Sequence, residues 1–153
     1  MLSISMLVCD GKPSRELDGF MKVGSVVVRE IQEQFPAQQF LYLALFVSRT
    51  PPFRDFELLT EIVDPDGNVL DASRKMAPLS GTWDFATLSI NLGHVYFQIE
   101  GAYSFNLYVR EQGQEEWPDE PFCFWSLYAL SKKSQDRSSI GTGRDGIAPR
   151  PSP

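Results

Sequence analysis

The residues able to do acid–base, nucleophilic or metal chemistry are few in this chain, and they lie far apart. There are one histidine and two cysteines. His94 sits in "NLGHVYF", read as a turn between strands. It has no second histidine for a zinc site and no triad partners. Reactive sites need several converging groups, so His94 reads as a surface or half-buried turn residue. Asp64, Asp66 and Gly67 in "VDPDGNVL" invite a calcium reading, but an EF-hand loop places its glycine sixth, and here it is fourth from Asp64. A turn explains them better: the carboxylates accept backbone N–H groups, Pro65 presets φ, and Gly67 or Asn68 takes positive φ. Glu57 and Glu61 share one strand face with Leu59 between them. A glycosidase opposes two acids across a cleft about 5–10 Å wide. Nothing in the sequence perturbs either glutamate, so both are expected on a solvated face. "GTGRDG" (141–146) has no strand before it and no helix after it, and a phosphate cradle needs both. The reading is of a protein that is not an enzyme, with no catalytic residue, metal ligand or cofactor.

The aromatics and the acids carry the remaining signal. Trp125 falls in a strand and reads as core, whereas Trp83 ("SGTWDF") and Trp117 ("EEWPDEP") fall in loops. An indole in a loop either anchors a partner or folds back to cap the end of the fold. Around Trp117 stand Glu111, Glu115, Glu116, Asp119 and Glu120, an acidic run that can face a basic partner surface or simply be solvated. The candidate partner-binding residues are therefore Trp83, Trp117, Glu115, Glu116, Asp119 and Glu120.

What must position these residues is a set of strands. The first candidates are "ISMLVC" (4–9), "MKVGSVVVREI" (21–31), "FLYLALFVS" (39–48), "FELLTEIV" (56–63) and "TLSINL" (87–92). "VYFQI" (95–99), "YSFNLYV" (103–109) and "FCFWSLYAL" (122–130) follow, all separated by turn residues. "VDPDGNVL" reads as a β-hairpin. Helix signals are scarce, with "REIQEQF" (29–35) long enough for a turn or two before Pro36. In 103–109, Tyr103, Phe105, Leu107 and Val109 form a core face, and Ser104, Asn106, Tyr108 and Arg110 a solvent face. Gly101 suggests a turn that delivers Tyr103 to a sandwich corner, its hydroxyl bonding back to the backbone. "FLYLALFV" (40–47) is apolar on both faces. Its second face is expected to lie under the 29–35 turn, under long loops, or against another subunit.

Totals bound the class. A chain of 153 residues with 42% apolar content suffices for one domain with a real core. The expected fold is an all-β, immunoglobulin-like sandwich of about 7–9 strands over residues 1–130, followed by a flexible Ser/Gly/Pro-rich basic tail at 131–153. Net charge is −6; residues 132–153 hold five basic and two acidic side chains, which leaves −9 on the body. Such a body repels phosphate backbones and anionic lipid, so neither nucleic acid nor membrane is the expected partner. The start, "MLSISMLVCDGK", lacks the basic region of an export signal, so a cytoplasmic location with Cys9 and Cys123 as reduced, buried thiols is expected.

"LVCD", "FMKVGSVVVREI", "QFP", "IVDPDGNVL" and "GAYSFNLYV" occur in an order that resembles a family of small bacterial proteins of unknown function. The resemblance covers about residues 6–128. It implies an immunoglobulin-like sandwich and brings no catalytic residues with it. The chain departs from the pattern at "EQGQEEWPDEP" (111–121), which is longer than in the family. The functional expectation is a non-enzymatic protein-interaction or structural module of bacterial origin, docking to another protein or to itself. The alternative is a carbohydrate- or small-ligand-binding sandwich that uses the loop tryptophans.

Overall fold

The structure, a computed structural model, describes residues 1–15, 21–23, 25–32, 34–70 and 73–133. The segment "GTGRDG" lies outside those residues. So does the expected tail beyond residue 133; Ser131, placed in the tail from sequence, is still paired in a strand. Among the described residues ten strands follow in chain order: β1 (Leu2–Cys9), β2 (Ser14–Arg15), β3 (Met21–Lys22), β4 (Arg29–Gln32), β5 (Ala37–Arg49), β6 (Phe56–Val63), β7 (Lys75–Leu79), β8 (Phe85–Phe97), β9 (Gly101–Glu111) and β10 (Cys123–Ser131). They form a three-stranded sheet, β1–β5–β8, and a five-stranded sheet, β4–β10–β9–β6–β7, with β2–β3 as a separate ladder. The fold is an all-β sandwich.

Alternation decides what lies between the sheets. Leu41, Leu43, Leu45 and Val47 on β5 face Leu58 and Ile62 on β6, Phe105 and Leu107 on β9, and Leu127 on β10, all within one cluster. A fully buried side chain of this kind contributes roughly 1.5–3 kcal/mol, against about 0–1 kcal/mol for an exposed ion pair. The inward rows therefore hold the layers together. The expected corner forms at the start of β9. Tyr103 donates its hydroxyl to the Ile99 carbonyl at 2.8 Å and accepts the Ile99 N–H at 3.3 Å. Its ring meets Phe97 edge-on at 4.8 Å. The turn after β6 also forms: Asp64 Oδ1 accepts the N–H groups of Asp66 and Asn68, and Gly67 takes φ 88°.

Several expectations change. Residues 29–32 are not a helical turn but a strand, because β4 lies parallel to β10 and gains a ladder that so short a helix cannot match. The Val-rich stretch 21–31 is not one strand, since it changes sheets. Val27 donates to the Val8 carbonyl of the first sheet, and Val28 accepts from Tyr128 of the second. The strands read at 87–92 and 95–99 are one, β8, carrying a bulge between them. Gly93 takes φ 69°, and its N–H is bound by Asn91 Oδ1 at 2.7 Å, so the ladder absorbs one extra residue and continues. His94 is consequently an exposed residue within a strand rather than a turn, edge-on to Phe40 at 4.9 Å. Finally, β7 went unread, because Lys75 and Pro78 weaken its strand signal. Proline is tolerated there since β7 is an edge strand.

The outward row of β5, Phe40, Tyr42 and Phe46, is half-buried. Strand β4 does not cover it, since it belongs to the opposite sheet. Phe40 and Tyr42 lie against each other at 5.3 Å.

Candidate functional site

The outer face of the five-stranded sheet is where the sequence-predicted residues meet the most structure. On β9 the outward side chains Ser104, Asn106, Tyr108 and Arg110 are half-buried rather than solvated. The loop after β9 folds back beside the last two of them, Tyr108 and Arg110. Arg110 anchors it by three contacts. Nε donates to Glu57 at 2.7 Å across the strand pair, Nη1 donates to the Glu115 carbonyl at 2.9 Å, and the guanidinium lies 4.1 Å from the Trp117 ring. A second tie, Arg54 to Glu111 at 2.7 Å, fastens the root of the loop.

Between that loop and β7 runs a groove of about 510 Å³. Leu59 and Tyr108 belong to its floor, Met76 and the Arg74–Glu61 pair (2.8 Å) to one side, and Trp117 and Asp119 to the other. Glu61 is buried beneath Arg74, which itself stays exposed. Burial first, and then the Glu61 carboxylate beside it, push the Tyr108 phenol above its ordinary pKa. The hydroxyl therefore stays protonated as a donor facing an acid. Glu57 and Glu61 are not the solvated pair expected from sequence, nor are they a dyad. Each is bound to its own arginine.

The six predicted partner-binding residues do not form one patch. Trp117 is half-buried at the groove, and Asp119 lines it, with Glu115, Glu116 and Glu120 exposed on the same loop. Trp83 has folded back against the core. Its Nε1 donates to the Ser80 carbonyl at 2.8 Å, and the Arg49 guanidinium lies 3.9 Å from its ring. Arg49 is buried and spends its donors on the carbonyls of Trp83 (3.0 Å), Arg54 (2.9 Å) and Gly81. That cluster closes one end of the sandwich. Trp125 is half-buried against the core and donates its N–H to Val27 at 2.8 Å.

Sequence reasoning missed Arg110, Tyr108, Arg74 and Met76 as parts of a site. The first two were legible as one strand face, but not the loop that covers it. Cys9 is buried and Cys123 half-buried; both are free, and burial raises both thiol pKa values, with Asp10 adding to the shift at Cys9. Among the described residues no group of three or more His, Cys, Asp and Glu side chains is placed to hold a metal ion, and no helix is long and apolar enough to cross a membrane. Compared with protein-family models and with curated proteins, the chain matches none.

Proposed function

We infer that the protein is a non-enzymatic docking module, an immunoglobulin-like sandwich that receives a basic segment of another protein in the groove beside Trp117. One observation carries the reading: apolar Leu59 in the floor and Met76 on one side lie across the groove from an indole already held in place by Arg110, and the rim bears exposed carboxylates. A pre-positioned aromatic anchor loses little entropy on binding, and the acids at the rim steer a cationic partner. The tyrosine corner at Tyr103 supports the immunoglobulin-like description. A sugar platform has weaker support, because an arginine already lies against each loop indole.

The test is affinity capture at low salt from extract of the source cells, using wild type, Trp117→Ala, and a variant with Glu115, Glu116, Asp119 and Glu120 changed to Gln or Asn. The expected result is one stoichiometric protein, lost with both variants and released by salt. Retention of the same protein by both variants overturns the reading.

A further inference from the structure

The acid set deepest in the groove is not one of the exposed carboxylates of the loop. Glu61, on β6, is buried, and its Oε1 takes Arg74 Nη2 at 2.8 Å. The two partners stand in very different surroundings: the Arg74 side chain is 62% exposed, that of Glu61 only 11%. The Tyr108 phenol faces the same carboxylate, with Leu59 and Trp117 in the same groove. The backbone on either side of Arg74 is pinned. Thr60 Oγ1 donates to the carbonyls of Ser73 at 3.2 Å and Lys75 at 3.4 Å, and Ser73 Oγ accepts the Ile62 N–H at 2.9 Å. Arg74 can therefore leave Glu61 by side-chain rotation alone, with β7 staying in place.

Displacing Arg74 is not equally costly for every ligand. A neutral group that pushed it aside would strand a buried carboxylate without a counter-charge, which is strongly unfavourable. A cation that takes its place keeps Glu61 balanced, and Arg74 gives up a head group that is already largely hydrated. The exchange therefore favours cations. Aromatic faces narrow the choice further. Tyr108 and Trp117 both line the groove, and a guanidinium stacks on such rings and forks onto a carboxylate, whereas a compact ammonium does not. The molecule already contains that pairing once: the Arg110 guanidinium is bonded to Glu57 and lies 4.1 Å from the Trp117 ring.

Taking the groove beside Trp117 as the docking site, we propose that Glu61 selects an arginine side chain of the partner segment and that Arg74 is its built-in placeholder. The incoming guanidinium takes the carboxylate that Arg74 vacates, beside the Tyr108 hydroxyl. Glu61 is then the specificity determinant. The exposed acids of the loop attract any cation and do not choose among them.

The probes are three peptides that differ at one side chain: acetyl-Leu-Arg-Leu-amide, its lysine analogue and its citrulline analogue. Each is titrated into the full chain with isotopically labelled tryptophan, and the Trp117 indole N–H resonance is followed. Trp83 and Trp125, whose N–H groups are bonded to Ser80 and Val27, serve as internal controls. The arginine peptide should bind about tenfold or more tighter than the citrulline peptide, and more tightly than the equally charged lysine peptide. Glu61→Gln should abolish both preferences. Arg74→Gln should tighten the arginine peptide by about threefold or more, because the internal competitor is gone, without tightening the citrulline peptide. A thermal melt establishes that both variants fold, and the ranking of the three peptides on the wild-type chain is a test that needs neither. Equal binding of the peptides, preferences that survive Glu61→Gln, or an Arg74→Gln affinity no higher than wild type overturns the proposal. So does a Trp117 resonance that no peptide moves. Affinity capture with the same variants separates the two failures. A partner lost with Trp117→Ala but kept by Glu61→Gln leaves the docking groove standing and removes the role of Glu61, whereas a partner kept by Trp117→Ala removes the groove itself.

Discussion

At the scale of single residues, two side chains hold the backbone where the strands cannot. Arg49 is a buried cation that satisfies three loop carbonyls between the rings of Phe53 and Trp83. Lysine has no planar fork for three divergent acceptors, so Arg49→Lys should cost about 2 kcal/mol or more, read as a lower urea midpoint with an unchanged slope. Tyr103 makes the corner through its hydroxyl alone, and Tyr103→Phe keeps the ring packing while orphaning the Ile99 groups. A loss of about 1–2 kcal/mol is expected in the same measurement, with the far-ultraviolet spectrum unaltered. By contrast, Trp117 touches an arginine on a surface loop. Trp117→Ala should shift stability by less than about 1 kcal/mol, which makes it a clean binding variant.

At the scale of elements, two glycines with positive φ separate backbone strain from steric conflict. Gly93 builds the bulge in β8 at φ 69°, and a Cβ there meets nothing within 4 Å. Gly101 opens β9 at φ 138°, and a Cβ there falls 2.7 Å from Cγ of Pro65, in the turn after β6. Gly93→Ala should therefore cost only the conformational penalty of about 1 kcal/mol, and Gly101→Ala clearly more, because a rigid proline must also move. Equal midpoints for the two variants in a denaturant series would contradict that ordering. The "DPDG" turn and the "GAY" start of β9 are thus one packed corner, although some 35 residues separate them. The turn was readable because its residue types are local signals, and the contact was not, because no local pattern encodes which turn will lie on which strand.

At the scale of the whole molecule, buried and half-buried thiols and phenols set a pH response. Burial raises the pKa of Cys9, Cys123, Tyr103 and Tyr108, with Asp10 assisting at Cys9 and Glu61 at Tyr108. Each group is neutral when protonated, so the folded state keeps protons that the unfolded chain gives up. The stabilisation is complete below the unfolded pKa and is lost as pH rises towards the folded one. Stability should hold to about pH 8, then decline as unfolded thiols ionise from about 8.5 and phenols from about 10. Urea melts between neutral and alkaline pH check this, and replacing both cysteines with alanine should remove the earlier part of the decline and leave the later part.

The strands themselves were written in the sequence wherever apolar and polar residues alternate. Six of the strands among the described residues, β1, β5, β6, β8, β9 and β10, are recognisable there, because side-chain direction along a strand depends only on parity. So were the all-β class and the corner at Tyr103. Tertiary structure decided the rest. Whether 29–32 is helix or strand depended on β10 lying alongside it, and whether Gly93 ended a strand or bulged one depended on β5 continuing past it. Trp83 and Trp117 look alike in sequence, each a loop indole near acids. Arg49 made the first a cap, and Arg110 made the second the wall of a groove. Those arginines lie 34 residues from Trp83 and seven from Trp117 along the chain. Local chemistry fixes what a residue can do; its partner, brought in by the pairing of distant strands, fixes what it does.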